Sequence, residues 1–494
     1  MMDDLWAVSS PGAGLDHMNV LAIDQGTSAT KAIVVDERGT VLGRSSVRVH
    51  PRAGAAGEVL QDAQELLESV LSAGRAALRD AGVRVDAVGL GNQGETVVAW
   101  DRADGRPLAP ALSWQDRQSA GLVARLRDHA PRLREISGLP LDPYFAAPKM
   151  ALLAQRHPAA AVTTVDSWLL ARLTGRLATD AATASRTMLL DLGSCAWSAE
   201  ACEVFGIDVG GLPEIVDCAQ PVGRTRAFGQ PLEICALCVD QQAALFAQGC
   251  LKRGEAKCTY GTGAFLLVNA GGDPPRAHAA ADAPGLSASV AWRLGGEPSY
   301  CLDGQVYTAG AAVSWLEGLG LISGPGDLDR CWDGGGGVTF VPALAGLGAP
   351  FWAPDARAGW LDLSLQSGRE ALVSAVVEGV AAQVAWLARA AADAIGGALG
   401  TLRVDGGLTA SRALMQAQAD LLQAPVAVHS GADATALGLA ALARLGAGDA
   451  PDPGRAVGQP RPSAVYEPRM PGDEAERRLL RWREAAGMLA RRAR

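Results

Sequence analysis

The pattern that most restricts the fold occurs twice. Near the start, the apolar run Val20-Leu21-Ala22-Ile23 ends at Asp24, passes through a turn of Gly, Thr and Ser, and resumes as Ala32-Ile33-Val34-Val35-Asp36. Past the middle, Cys258-Thr259-Tyr260 leads through Gly261-Thr262-Gly263 into Ala264-Phe265-Leu266-Leu267-Val268. Two β-rich runs joined by a tight turn predict a hairpin. Val41 to Val49 adds a third strand to the first one. Helical and strand patterns follow each hairpin. Asp62 to Leu78 has apolar residues at 63, 66, 67, 70, 71, 77 and 78, the spacing of an amphipathic helix. Val88-Gly89-Leu90-Gly91 reads as a buried strand. In the second half, Ser367-x-x-Glu370 is a capping-box pattern that predicts the start of a long helix. Leu402 to Asp405 is a strand ending in Gly406-Gly407. A helix over 411–423, a strand at Val426 to Val428 and a packed helix at Thr435 to Ala443 complete this half.

The expectation is an α/β chain of two duplicated domains with a cleft between them. The predicted division is a disordered extension at 1–17, a first domain at 18–250 and a second at 251–445. A Gly/Pro-rich linker and an exposed, Arg-rich C-terminal helix fill 446–494. The length of 494 residues fits two or three domains. Hydrophobic residues make up 49% and charged residues 20%, which argues against long disorder. The net charge of −9, with no basic block, makes nucleic acid and anionic membranes poor partners. The richest apolar stretch, Leu372 to Leu387, is interrupted by Glu378 and Gln383, so no membrane span is read. The N-terminus lacks the pattern of a signal peptide. Nine loosely spaced cysteines read as reduced thiols in the cytoplasm. Cys235-Ala-Leu-Cys238 lies in an apolar run and reads as buried strand, not as a zinc or redox site.

Several residues can carry chemistry. Asp24 at a strand end can hold Mg²⁺ through water. The turn after it lets backbone N–H groups approach phosphate oxygens, with Thr27 and Ser28 hydroxyls as donors and Lys31 as a nearby charge. An ordinary hairpin turn is the competing reading. Gly261-Thr262-Gly263 is a second turn of the same kind, and a triphosphate in an interdomain cleft needs contacts from both walls. Neither turn is a P-loop or a dinucleotide fingerprint. Asp240, after the strand Ile234 to Val239, can take the proton of an attacking hydroxyl, or serve as a helix cap. Asp405-Gly406-Gly407 suits close backbone approach to a nucleotide.

Together these segments resemble the FGGY carbohydrate kinase family, in its glycerol kinase branch. The resemblance is carried by Ile23 to Ser28, Gly91-Asn92-Gln93 with Glu95-Thr96, Ser113-Trp114-Gln115, and Gly138 to Phe145. It continues through Val165 to Leu169, Ala184 to Leu189, Asp240 to Phe246, Thr259 to Gly263, Phe340 to Pro350 and Val404 to Gly407, spanning roughly 19–445. It implies an actin-like ATPase (RNase H-like) fold that closes over ATP and a polyol. It also implies transfer of phosphate from Mg·ATP to a terminal hydroxyl of glycerol, giving glycerol 3-phosphate. In that reading Asp24 is the metal-associated carboxylate and Asp240 the catalytic base. Glu95, Trp114, Tyr144, Asp240, Gln241 and Phe265 form the polyol pocket. Thr27, Ser28 and Lys31 form one phosphate loop, and Gly261, Thr262 and Gly263 the other. Gly310 and Gly407 are nucleotide-contacting glycines.

The chain departs from the branch at four of these places. Lys31 stands for Arg, Ser314 for Gln, Ser411 for Asn, and Gly94 for the Arg that donates to polyol hydroxyls. A hydrogen bond to a charged group is worth about 1.5–3 kcal/mol. The loss of the Arg therefore leaves two readings open: a glycerol kinase, or an FGGY kinase for a larger polyol or ketose that fills the vacated space. A third, of another class, is a non-kinase actin-like sensor or switch, against which the presence of both Asp24 and Asp240 argues. Arg186 reads as a brace of the domain core. Glycerol kinases as a group suggest a homodimer or homotetramer.

Overall fold

The computed structural model describes residues 18–275, 285–429, 431, 433–458 and 460–492. The expected extension at 1–17 lies outside the described residues. Two mixed sheets form the frame. The first runs in the order Ala219–Thr225, Leu232–Val239, Ala87–Asn92, Val20–Gln25, Ala29–Val35, Val41–Arg48. The second runs Ser287–Leu294, Glu297–Val306, Ala264–Gly271, Ala256–Tyr260, Leu402–Asp405, Val426–Val428, Ala464–Tyr466. Each has the same centre. Val20–Gln25 pairs antiparallel with its hairpin partner and parallel with Ala87–Asn92. Ala256–Tyr260 pairs antiparallel with Ala264–Gly271 and parallel with Leu402–Asp405. Both Gly/Thr turns therefore sit at the same end of equivalent strands, as expected of a duplicated α/β fold.

Helix Ala63–Ala81 starts where the Asp62 carboxylate accepts from Gln64 N and Glu65 N, and ends at Gly82 with φ 62°. Its buried Leu66, Leu67, Val70 and Ala73 lie against the first sheet with Leu21, Ile23 and Leu90. Each buried Leu or Val contributes about 1.5–3 kcal/mol. Helix Arg369–Ile395 fills the equivalent place in the second core. It is long and apolar enough to cross a membrane, contrary to the reading of Leu372 to Leu387, but it is mostly buried inside the protein. The helix runs through Glu378 and Gln383, and the Glu378 carboxylate is paired with Arg478 of the C-terminal segment at 3.1 Å. A smaller sheet of Arg52–Ala53, Val59–Gln61, Ala111–Leu112, Val97–Trp100 and Ala161–Thr164 carries Glu95 and Trp114 in its adjoining turns.

Helix Ala434–Gly446 lies late in the chain yet packs on the first sheet. Its Ala436, Leu439 and Leu442 share a buried cluster with Val20, Ala22 and Ala236. The approach requires glycine: a Cβ on Gly438 would stand 1.9 Å from Ala243 O, and one on Gly89 would stand 2.5 Å from Leu439 O.

Other expectations are corrected. Ser367 does not cap the long helix, whose N-cap is Gly368. The Ser367 hydroxyl accepts from Ser364 N instead, so a local turn takes the group the capping box needs. The stretch after 446 is more than linker, since Ala464–Tyr466 pairs with Val426–Val428 at the edge of the second sheet. The C-terminal helix Gly472–Arg492 is not a solvated face throughout. It buries Leu479, Trp482 and Ala486 in the second core, and Trp482 Nε1 donates to Phe340 O at 3.1 Å.

Candidate active site

A cavity of about 220 Å³ opens between the two halves. The first half lines it with Thr27, Gln93, Glu95, Trp114, Tyr144 and Arg186, and with Val239 to Gln242 where a buried strand turns into helix Asp240–Ala247. The second half supplies Phe265 to Leu267 and Asp303 to Gln305. Six residues read from the sequence as the polyol pocket, Glu95, Trp114, Tyr144, Asp240, Gln241 and Phe265, thus stand around one space.

Gly94 does not line it. Its N–H donates to Asn92 Oδ1 at 2.7 Å and its φ is +75°. A Cβ there would meet only Val239 Cγ2, at 3.1 Å.

The aromatic wall is tied to the first turn. Trp114 Nε1 donates to Thr27 Oγ1 at 2.8 Å, and the Trp114 and Tyr144 rings meet edge-on at 5.6 Å. Lys149 explains the placement of Tyr144. Its buried ammonium donates to the carbonyls of Pro143, Tyr144 and Phe145 at 2.9, 2.5 and 2.8 Å. Lys257, also buried, donates to Gln241 Oε1 at 2.7 Å and Thr259 Oγ1 at 3.0 Å. Sequence reasoning missed Lys257, Asp303 and Gln305, and it did not place Arg186 at the cavity wall. Lysine scarcity was a usable signal, since the chain has four lysines among 44 basic residues and two of them are buried here.

Arg186 braces the two walls and also lines the cavity. Its Nε donates to Glu95 Oε1 at 2.7 Å and its Nη1 to Asp303 Oδ1 at 2.9 Å. Its guanidinium also lies 5.2 Å from the Phe145 ring centre. Burial raises the Glu95 carboxyl, and the Arg186 charge opposes that rise. Burial, with the charges of Asp24 and Glu95, pushes Asp240 up to about 7. Asp240 Oδ1 accepts from Gln241 N at 2.7 Å, so the carboxylate sits at the head of its helix. Two amide oxygens of the wall, Gln93 Oε1 and Gln305 Oε1, are buried without a partner and remain available to a hydroxyl donor.

Asp24 faces Lys31 across the first hairpin. Burial raises it to about 6, opposed by Lys31 and reinforced by Asp433. Its Oδ1 is buried with no partner. An orphaned carboxylate oxygen beside two further aspartates is chemically suited to a hydrated divalent cation. Ser28 is exposed next to Thr27 in the same turn.

The second turn is built from close backbone contacts. Gly261 N donates to Gly263 O at 2.8 Å, and Gly310 N donates to Gly261 O at 3.0 Å. A Cβ on Gly263 would stand 2.4 Å from Val306 O, and one on Gly310 would stand 2.6 Å from Gly261 O. A Cβ on Gly406, which has φ +97°, would stand 2.3 Å from Tyr260 O, so the turn bearing Gly407 abuts the same strand end. Thr262, Gly407 and Ser314 are exposed beside it, Ser314 one helical turn after Gly310. Ser411 is committed elsewhere: its hydroxyl donates to Asp329 Oδ1 at 2.8 Å and accepts from Leu414 N as the cap of helix Arg412–Leu422. The Cys235–Cys238 segment is buried strand, as read. Cys238 meets Cys218 and Asp180, whose carboxylate is already engaged by Thr183.

Residues 19–247 match the N-terminal domain of the FGGY family of carbohydrate kinases, and residues 256–447 match its C-terminal domain. The chain belongs to this family. It is accordingly an ATP-dependent carbohydrate or polyol kinase with a small-molecule acceptor. A glycerol kinase of Methylobacterium nodulans is 42% identical over 95% of this chain and 98% of its own length. One of Myxococcus xanthus is 38% identical over 94% of this chain and 98% of its own. The crystal structure of Plasmodium falciparum glycerol kinase with ADP superposes with a TM-score of 0.89 at 29% identity, covering 95% of this chain and 98% of that one. A xylulose kinase of Rhodospirillum rubrum shares the fold, with a TM-score of 0.85 at 22% identity over 96% of this chain and 99% of that one.

Proposed function

We propose that the protein transfers the γ-phosphoryl group of ATP to a terminal hydroxyl of glycerol, giving glycerol 3-phosphate and ADP. The observation that carries the reaction type is the cavity shared by the two halves, which holds a carboxylate of raised pKa, Asp240, beside hydrogen-bonding groups of both signs. Two relatives named glycerol kinases, alike over nearly the whole chain, favour glycerol as the acceptor.

In this account Glu95 and the Gln241 amide receive and orient the acceptor hydroxyls. The faces of Trp114, Tyr144 and Phe265 cover its carbon chain. Asp240 accepts the proton of the terminal hydroxyl as that oxygen attacks the γ-phosphorus. Most of the catalysis is alignment and charge neutralisation. The first domain, 18–250, carries the acceptor pocket and the turn of Thr27, Ser28 and Lys31. The second, 251–445, holds the nucleotide on Gly261, Thr262, Gly263, Gly310 and Gly407, with Ser314 nearby. Ser411, which the family resemblance places at a nucleotide position, is spent on Asp329 and does not contact the nucleotide in this arrangement. Asp24 is the residue suited to hold Mg²⁺, which when bound neutralises phosphate charge. Closure of the halves excludes water and so limits hydrolysis of ATP. Nine buried free cysteines suit a reducing, cytoplasmic setting.

Phosphorus NMR of the protein with Mg·ATP, with and without glycerol, tests this reading. Appearance of a phosphomonoester resonance together with ADP, dependent on glycerol and lost in Asp240→Asn, supports it. Inorganic phosphate released at the same rate without glycerol refutes it.

A further inference from the structure

Among the described residues that line the cavity, Arg186 is the sole cation and faces three carboxylates, Glu95, Asp240 and Asp303. It pairs with two of them. The side chains of Arg186, Glu95 and Asp303 are 5, 5 and 7% exposed. Asp303 is held from its other side, where Oδ2 accepts from Gln305 Nε2 at 2.9 Å. Arg186 follows helix Ala181–Ser185 in the first half, and Asp303 lies on strand Glu297–Val306 in the second. One guanidinium thus ties the acceptor pocket's carboxylate to the opposite wall of the cleft.

We propose that Arg186 and Asp303 form a positioning pair that holds Glu95 as a fixed, ionised acceptor for the substrate hydroxyls and so sets the affinity for the polyol. The proposal rests on the reading of this cavity as the acceptor site. An ionised carboxylate only accepts hydrogen bonds, which selects hydroxyl donors; a protonated one also donates and loses that selectivity. Two buried carboxylates without a cation between them cannot both stay ionised. Arg186 compensates both; among the described residues Asp240 feels the charge of Lys257 but forms no ion pair, and it is the group that receives the proton. Asp303 also limits where the guanidinium rests, because Nε and Nη1 are engaged at once in a planar fork. The pair reaches the acceptor through Glu95 and is given no part in the transfer itself.

The test uses the full chain and three variants, Asp303→Asn, Arg186→Lys and Arg186→Met, each assayed for ADP release with glycerol and ATP varied in turn. Asp303→Asn keeps the shape and an oxygen for Nη1. It is expected to raise the glycerol KM about tenfold and leave the ATP KM within about twofold. Arg186→Met is expected to raise the glycerol KM about a hundredfold or more, and Arg186→Lys to recover part of that loss, since one ammonium reaches one carboxylate well. A glycerol KM within twofold of the parent in both Asp303→Asn and Arg186→Lys, with only Tm altered, overturns the proposal. That outcome leaves the kinase reading intact. Absence of glycerol-dependent turnover in the parent protein refutes the acceptor reading and this proposal with it. If Arg186→Met fails to fold, the near-isosteric Asp303→Asn decides.

Discussion

Replacing Gly94 by Arg isolates what the pocket lost relative to the glycerol kinase branch, where the resemblance places an arginine. Two opposing effects follow from the local geometry. Gly94 has φ +75°, and an L-residue there costs about 1–2 kcal/mol. The new Cβ meets only Val239 Cγ2 at 3.1 Å, the tip of a side chain that lines the cavity and can shift by a few tenths of an ångström. The strain is thus confined to the backbone, and Tm falls by roughly 2–8 °C. Against this, a guanidinium that reaches an acceptor hydroxyl contributes about 1.5–3 kcal/mol to binding. The glycerol KM of Gly94→Arg should therefore fall by about ten- to a hundredfold while the ATP KM stays unchanged. Gly94→Ala carries the same backbone strain without the guanidinium and should lower Tm with no gain in KM. Initial rates of coupled ADP release, with glycerol titrated at saturating Mg·ATP, measure both variants. Equal glycerol KM values in Gly94→Arg and Gly94→Ala would refute the reasoning.

Four further outcomes follow from the same structure. Asp240 works as an ionised base and burial raises it to about 7, so kcat/KM should decline as pH falls below about 7 and level off above it. Asp240→Asn should lower kcat by about 10²–10⁴ and remove that limb of the profile. Gly438→Ala favours a helix by about 1 kcal/mol on propensity alone, yet its Cβ would stand 1.9 Å from Ala243 O. A lower Tm is therefore expected, and a raised one would mean that the contact between this helix and the first sheet is looser than described. Trp482→Ala should cost about 3–5 kcal/mol, read as a lower denaturation midpoint, because the indole is buried and hydrogen-bonded to Phe340 O.

What the sequence made legible was mostly local. The two hairpins follow from apolar runs interrupted by small turn residues, and the observed strands Val20–Gln25 with Ala29–Val35 and Ala256–Tyr260 with Ala264–Gly271 match them. Asp240 was legible from its place at the end of an apolar strand, whereas Glu95, Trp114, Tyr144 and Phe265 were identified through their family blocks, not through any periodicity. The contacts that give the site its electrostatics join residues far apart in the chain, such as Arg186 with Asp303, and no spacing rule announces them. The same holds for Lys149, whose three carbonyl partners could be seen only once the turn at 143–145 was folded around it. Helix Ala434–Gly446 read correctly as packed, but its place on the first sheet depends on glycines in two distant segments, Gly89 and Gly438. The capping box failed because a hydroxyl near a helix start can serve a turn as readily as a cap, as Ser367 does with Ser364.

The central claim is that this cavity phosphorylates glycerol in preference to longer acceptors despite Gly94. The direct measurement is kcat/KM with Mg·ATP for glycerol, erythritol, threitol, ribitol, xylitol, dihydroxyacetone, xylulose and glyceraldehyde under one set of conditions. The account predicts that glycerol has the highest value. A four- or five-carbon polyol or ketose that exceeds glycerol would contradict it, and would mean that the cavity is specialised for a larger acceptor.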